Sequence, residues 1–249
     1  MLITSTFGSI ENNPIVFLHG FLGCKEDWLP IIESFKQTYF CICVDLPGHG
    51  DSELKQDPLQ QVESDLLAIG KRPLIGIGYS LGGRILLEIQ ERNPSLFSHL
   101  CLFGSHPGLN TKKEKGSRKS KEDYWETILI KEDINSFLNK WYDQPLFHEL
   151  KKNNIFQKTL FKRKKNDPHK IRYIYNYFRL SKQKLMDPTK KNNLFLYGEL
   201  DECYQNVYKS FENIQTAVIE KVGHATIIEN PVECAQKIKS FLGLLPTIM

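Results

Sequence analysis

Short apolar runs closed by glycine- or proline-rich turns recur at both ends of the chain, with helically spaced segments between them. Ile3 to Phe7 reads as a short edge strand, and Ile15-Val16-Phe17-Leu18 as a buried strand running into His19-Gly20-Phe21-Leu22-Gly23. Apolar spacing then predicts a helix over Trp28 to Lys36 and a strand over Phe40 to Val44, ahead of the turn-rich Asp45-Leu46-Pro47-Gly48-His49-Gly50. A helix from Asp57 to Ile69 follows. Asp57 suits the N-cap, Pro58 the first helical position, and Leu59, Val62, Leu66 and Ile69 share a face. Leu74 to Gly83, LIGIGYSLGG, is a buried strand passing sharply into a helix. Ile85, Leu86 and Ile89 give that helix a sheet-facing side, and Asn93-Pro94 ends it. Leu100 to Gly104 is the next strand.

The alternation breaks at Asn110 and resumes with a strand at Asn193 to Tyr197. A helix at Cys203 to Phe211, a strand at Ala217 to Val222 and a closing helix at Pro231 to Leu242 complete it. Strands alternating with helices predict an α/β fold, a mostly parallel sheet covered by helices on both faces. Residues 1–109 and 187–249 form its core, and residues 110–186 a helical cap inserted between two strands. Lys112 to Lys121 is polar enough to predict a mobile hinge or lid segment.

Composition narrows the class. No stretch approaches the ~20 apolar residues of a membrane span. The start, MLITSTFGSIENN, has neither a basic nor a long apolar region, so no secretory signal is expected. Cys24, Cys41, Cys43, Cys101, Cys203 and Cys234 lack CxxC spacing and are expected as reduced, partly buried thiols of a cytoplasmic protein. No His/Cys metal cluster appears, and no cofactor is expected. The net charge of +4 hides an asymmetry: residues 111–191 carry 22 Lys and Arg against 10 Asp and Glu. A basic insert on an acidic body suits an anionic ligand, although a solvated lysine-rich helical face explains the charge as well.

Gly78-Tyr79-Ser80-Leu81-Gly82 is a G-x-S-x-G pattern at a strand-to-helix turn, where a nucleophilic hydroxyl stands clear of the sheet. A serine hydroxyl is weak at neutral pH and needs an imidazole, which itself needs orienting. Chain order supplies Ser80, Asp201 and His224, each just past the C-terminal end of an expected strand. Glu199 and Glu202 adjoin Asp201 and leave the acid less certain than the histidine. The N–H groups of Phe21 and Leu81 are the expected oxyanion donors. His19 and His49, in glycine turns, are expected to shape backbone.

LHGF, DLPGHG, GYSLGG, GELD and GHATIIENP together resemble the α/β-hydrolase superfamily across nearly the whole chain. GYSLGGR with Arg84, HPGL at His106 to Leu109, Arg118, and WYDQPLF at Trp141 to Phe147 are similar to the 2-succinyl-6-hydroxy-2,4-cyclohexadiene-1-carboxylate synthases of menaquinone biosynthesis. That resemblance implies a lyase that removes a proton from a polycarboxylate precursor and releases pyruvate, with Ser80 acting as a base activated by His224. It implies substrate contacts from Tyr79, Arg84, Arg118 and Trp141, and a further cap cation at Lys162 or Arg163. The lysine-rich cap departs from the family pattern.

A serine carboxylesterase is the competing enzyme, for instance one resembling the pimeloyl-carrier-protein methyl esterases. The basic insert would then dock an acidic carrier protein. A non-catalytic hydrolase-fold protein is a third reading, which the complete triad argues against. Nucleic-acid binding is least favoured, since the basic run carries no recognised module.

Overall fold

The computed structural model describes residues 2–190 and 192–244. Seven strands form one sheet in the order β1-β3-β2-β4-β5-β6-β7. They are β1 (Thr4–Phe7), β2 (Asn13–Leu18), β3 (Tyr39–Val44), β4 (Leu74–Tyr79), β5 (Phe97–Phe103), β6 (Asn193–Gly198) and β7 (Thr216–Ile219). Only β1 runs antiparallel, against β3; all other pairs are parallel.

Side chains alternate across a strand, so each buried run feeds two cores. Val16, Leu18, Leu100 and Leu102 pack on one face under α2 (Pro58–Leu67) and α3 (Leu81–Arg92). Ile15, Phe17, Cys101 and Phe103 pack on the other with Trp28, Ile31 and Ile32. This second face is covered by α1 (Leu29–Ile32) and α11 (Pro231–Phe241). The two-sided covering matches the sequence expectation. Asp57 caps α2 as expected, its carboxylate accepting from Gln60 N–H.

Between β5 and β6 lie α4 (Lys112–Lys131), α5 (Ile134–Tyr142), α6 (His148–Lys152), α7 (Phe156–Arg163) and α8 (Pro168–Tyr177). Their own cluster, centred on Phe137, Leu138, Leu150 and Ile171, packs onto Leu22 and Ala225 of the core. α9 (Glu202–Lys209) follows β6, and the single-turn α10 (Thr226–Glu229) follows β7.

Three expectations change. The helix foreseen over Trp28 to Lys36 is a 3-10 turn at Lys25–Trp28 and the short α1, which dissolves into turns as Ser34 and Phe35 N–H bond back three residues. The polar segment Lys112 to Lys121 is no hinge but the first half of α4. Thr111 and Glu114 close a capping box at its start, and the pairs Arg118–Glu122 and Lys119–Asp123 run along it. The last strand stops at Ile219, before Lys221 takes a positive φ of 58°.

Candidate active site

Parallel strands end at one edge of a sheet, so the segments after β2, β4, β6 and β7 converge there. Ser80 occupies the turn from β4 into α3 with φ 50° and ψ −106°, a conformation that a non-glycine residue holds only when its surroundings force it. Its N–H donates to Phe103 O at 2.7 Å. The turn is tight because β4 and α3 nearly touch: a Cβ on Gly78 would lie 2.4 Å from Gly83 Cα. The sequence LIGIGYSLGG therefore folds as an elbow that holds Ser80 at the head of a helix.

His224 and Asp201 are buried, and the imidazole Nδ1 donates to Asp201 Oδ2 at 2.9 Å. Asp201 Oδ1 accepts from Tyr204 N–H at 3.1 Å, so both oxygens are engaged. The neighbouring Glu199 is turned elsewhere, accepting from Lys221 N–H, and among the acidic residues near β6 it is Asp201 that meets the histidine. The ring of His224 stacks on Tyr204 at 4.8 Å between centroids and rests against Gly104, where a Cβ would meet its Cε1 at 2.6 Å. Tyr79 closes a third side at 5.4 Å. Ser80 and His224 face one cavity, whose walls also include Phe21, Leu81 and Arg84.

The loop carrying Phe21 is braced by two fully buried histidines. Leu46 N–H donates to His19 Nε2 at 3.0 Å, and Leu22 N–H donates to His49 Nε2 at 3.1 Å. An Nε2 that accepts carries no proton, which places the proton of each ring on Nδ1, donating to Gly20 O and Pro47 O respectively. Burial lowers both pKa values and keeps the rings neutral. Both histidines shape backbone, as expected. Gly20 lies over the serine, since a Cβ there would come within 3.4 Å of Ser80 Cβ. Leu81, first residue of α3, carries one of the N–H groups that a helix leaves without an intrahelical acceptor.

The cavity holds cations on two walls. Arg84 on α3 donates from Nε to Gln183 Oε1 at 2.5 Å and from Nη2 to Phe178 O at 2.7 Å. Both partners are neutral. Burial, aided by repulsion from Arg118, brings its pKa down to about 10. Arg118 lines the same cavity with its side chain 43% exposed, donating to Glu122 at 2.9 Å. Glu122 is itself buried and also accepts from Leu180 N–H and the Ser181 hydroxyl. Of the two further cap cations expected, Lys162 and Arg163, it is Arg163 that lines the cavity, as Arg118 and Arg179 do. Arg163 donates to both oxygens of buried Asp27, at 3.1 and 2.6 Å. Lys162 is partly exposed and sits 3.6 Å from Asp27.

Trp141 stands in an aromatic wall with Phe21 at 5.3 Å and Tyr175 at 6.2 Å, reaching into both the cap core and the cavity. Sequence reasoning missed Tyr204, Tyr175 and Gln144, all of which line the cavity. Tyr204 had a signal: it lies three residues after Asp201 on a helix that starts there, hence on the same side. Gln144 had one too, since it lies within the WYDQPLF segment that carries the resemblance, while Tyr175 had none apart from the cap's aromatic character.

Among the described residues no group of three or more His, Cys, Asp or Glu side chains is arranged to hold a metal ion, and all six cysteines are free. No helix among them is long and apolar enough to cross a membrane.

Comparison with known proteins bears on what this edge is for. The sequence profile described as alpha/beta hydrolase fold matches residues 13–231. A Haemophilus influenzae protein named putative 2-succinyl-6-hydroxy-2,4-cyclohexadiene-1-carboxylate synthase is 32% identical over 242 residues, 91% of this chain and 96% of its own length. The synthase of that name from Photorhabdus laumondii is 28% identical, covering 98% of this chain and 90% of its own. The structure of MenH from S. aureus superposes with a TM-score of 0.87 at 26% identity, over 96% of this chain and 97% of that one. An esterase from Exiguobacterium antarcticum superposes with a TM-score of 0.77 at 17% identity, a likeness of fold alone.

Proposed function

The chain belongs to the alpha/beta hydrolase fold family, and from that premise we propose that it is a lyase of menaquinone biosynthesis that forms 2-succinyl-6-hydroxy-2,4-cyclohexadiene-1-carboxylate. The relatives that carry this name match it over nearly their whole length. In this reading Asp201 fixes the imidazole of His224 with its proton on Nδ1. His224 Nε2 is then free to take the proton of the Ser80 hydroxyl as that oxygen removes a proton from the substrate. Electrons from the broken C–H bond form a C=C bond in the ring, the C–O bond to the pyruvyl group breaks, and the group leaves as the enolate of pyruvate, which takes up a proton to give pyruvate. Phe21 and Leu81 N–H stabilise the enolate-like oxygen that develops. No acyl-enzyme is needed.

One observation carries the choice of substrate class. Arg84 is a half-buried cation held by neutral oxygens, which suits a cavity that receives its counter-charge from a bound carboxylate. Arg118 offers its remaining guanidinium N–H groups to a second carboxylate, while Tyr79 and Trp141 wall the ring. A neutral ester would leave Arg84 uncompensated. The six free cysteines suit the cytoplasm.

The test offers the purified protein the menaquinone precursor and a panel of p-nitrophenyl esters side by side. The lyase reading expects pyruvate at catalytic rates and little ester turnover. Rapid ester turnover without pyruvate would overturn it in favour of a carboxylesterase with an acyl intermediate on Ser80.

A further inference from the structure

Glu229 ends α10, five residues beyond His224, and none of the steps above uses it. Its carboxylate accepts from two backbone donors at once: Gly223 N–H to Oε2 at 2.9 Å, and Ala225 N–H to Oε1 at 3.0 Å. These are the N–H groups of the residues immediately before and after His224. Gly223, His224 and Ala225 are all buried, and no sheet pairing fixes them, because β7 has already ended at Ile219. Without the carboxylate two buried N–H groups would have to find other acceptors, and the loop would have to move to supply them.

The other contacts on His224 act on its ring. Asp201 sets the tautomer and ring rotation, and Tyr204 and Gly104 confine the plane. None of them fixes where the Cα of residue 224 stands relative to the elbow at Ser80. The backbone is held on one side by Leu200 N–H, which donates to Val222 O at 2.9 Å, and on the other by the Glu229 bridge, which ties the loop to the first turn after it, where Ile228 and Glu229 N–H bond back to Ala225 O at 2.8 and 2.9 Å. Burial pushes the Glu229 carboxyl up from the usual value, and the bonds from Gly223 and Ala225 hold it down, as expected of an enclosed group kept for its hydrogen bonds.

We propose that Glu229 is a positioning residue: its carboxylate clamps the N–H groups of the residues on either side of His224 and so sets the reach of the imidazole toward Ser80. The proposal rests on Ser80 and His224 working together, and not on which substrate they serve.

A small fluorophosphonate tests it independently of that substrate. Ser80 Oγ forms a bond to phosphorus, the P–F bond breaks to release fluoride, and the hydroxyl proton passes to His224. The rate of Ser80 labelling, followed by intact mass, thus reads the serine–histidine pair directly. Wild type is compared with His224→Ala, Glu229→Ala and Glu229→Gln at a temperature where circular dichroism shows the protein folded. Glu229→Gln keeps one of the two acceptor oxygens. The expected result is labelling ten- to a hundredfold slower in Glu229→Ala, with Glu229→Gln between it and wild type, and a parallel fall in kcat at unchanged KM. If Glu229→Ala does not fold, Glu229→Gln alone decides. Wild-type labelling rates in a folded variant would overturn the proposal. If His224→Ala labels as fast as wild type, the serine–histidine reading fails first and takes the proposal with it. Absence of pyruvate release from wild type, with labelling intact, would overturn the lyase reading and leave Glu229 standing.

Discussion

The core and cap sides of the cavity hold arginines in opposite ways. On the core side Arg84 leans on an amide oxygen and a peptide carbonyl, and burial together with Arg118 lowers its pKa to about 10. On the cap side Arg163 is the more deeply buried, yet both oxygens of Asp27 neutralise it, and the charge pair outweighs burial and drives its pKa up. A buried ion costs several kcal/mol of desolvation, which the protein must compensate permanently or leave for a ligand to compensate. Arg163 is compensated permanently and ties α7 of the cap to the 3-10 turn before α1. Arg84 is the cation left open. The comparison separates a charge paired within the protein from one that the proposed function assigns to a ligand.

The largest expected effect removes what both walls surround. Ser80→Ala should lower kcat by about 10³-fold or more without a change in melting temperature, checked by steady-state pyruvate release and calorimetry. Next comes Arg163→Met, which leaves buried Asp27 the partly exposed Lys162, 3.6 Å away, as its remaining counter-charge. It should cost about 3–5 kcal/mol of unfolding free energy in a urea titration. Arg84→Met breaks the comparison from the other side. Stability should stay within about 1 kcal/mol of wild type or rise, because no buried carboxylate is left unpaired. Its kcat/KM for the polycarboxylate should fall by about 2–4 kcal/mol of transition-state binding. Equal destabilisation by the two methionine variants would abolish the distinction between the walls.

The smallest effect concerns pH. Asp27 is held below the usual carboxylate range: burial opposes its charge, and Arg163 more than offsets that. Its contribution to stability is therefore fully present above the unfolded value of ~3.9, and is lost as pH falls through the lower folded value. Asp27→Leu combined with Arg163→Met removes the pair together. It should keep near-wild-type stability at neutral pH and lose this acid-dependent limb, as read by urea midpoints taken at successive pH values. An unchanged acid limb in the double variant would assign that sensitivity to other carboxylates.

Much of the sheet and its chemical edge was legible along the chain. Apolar runs at Ile15 to Leu18, Leu74 to Tyr79 and Leu100 to Phe103 are strands because alternate side chains must be buried on both faces. Gly78 and Gly82 mark the elbow because a Cβ at either would strike backbone. Such features depend on residues close in sequence, so pattern and turn chemistry reveal them. Ser80, Asp201 and His224 could be named for the same reason: each follows the end of a strand that its own neighbours announce. Lys112 to Lys121 misled because its polarity suggested disorder, while a capping box at Thr111 and i,i+4 pairs, equally local, made it helical.

What the sequence determined by itself, then, was the alternating α/β pattern, the elbow and the order of Ser80, Asp201 and His224 along the sheet edge, all products of short-range hydrogen bonding and periodic burial. Only the tertiary structure decided which charges are neutralised. Arg163 meets Asp27 across 136 residues, and Arg84 meets Gln183 across 99, with no carboxylate in salt-bridge reach among the described residues. It also decided that Tyr204 stacks on His224. A charge's worth depends on the dielectric and the partners around it, and both exist only once distant segments have packed.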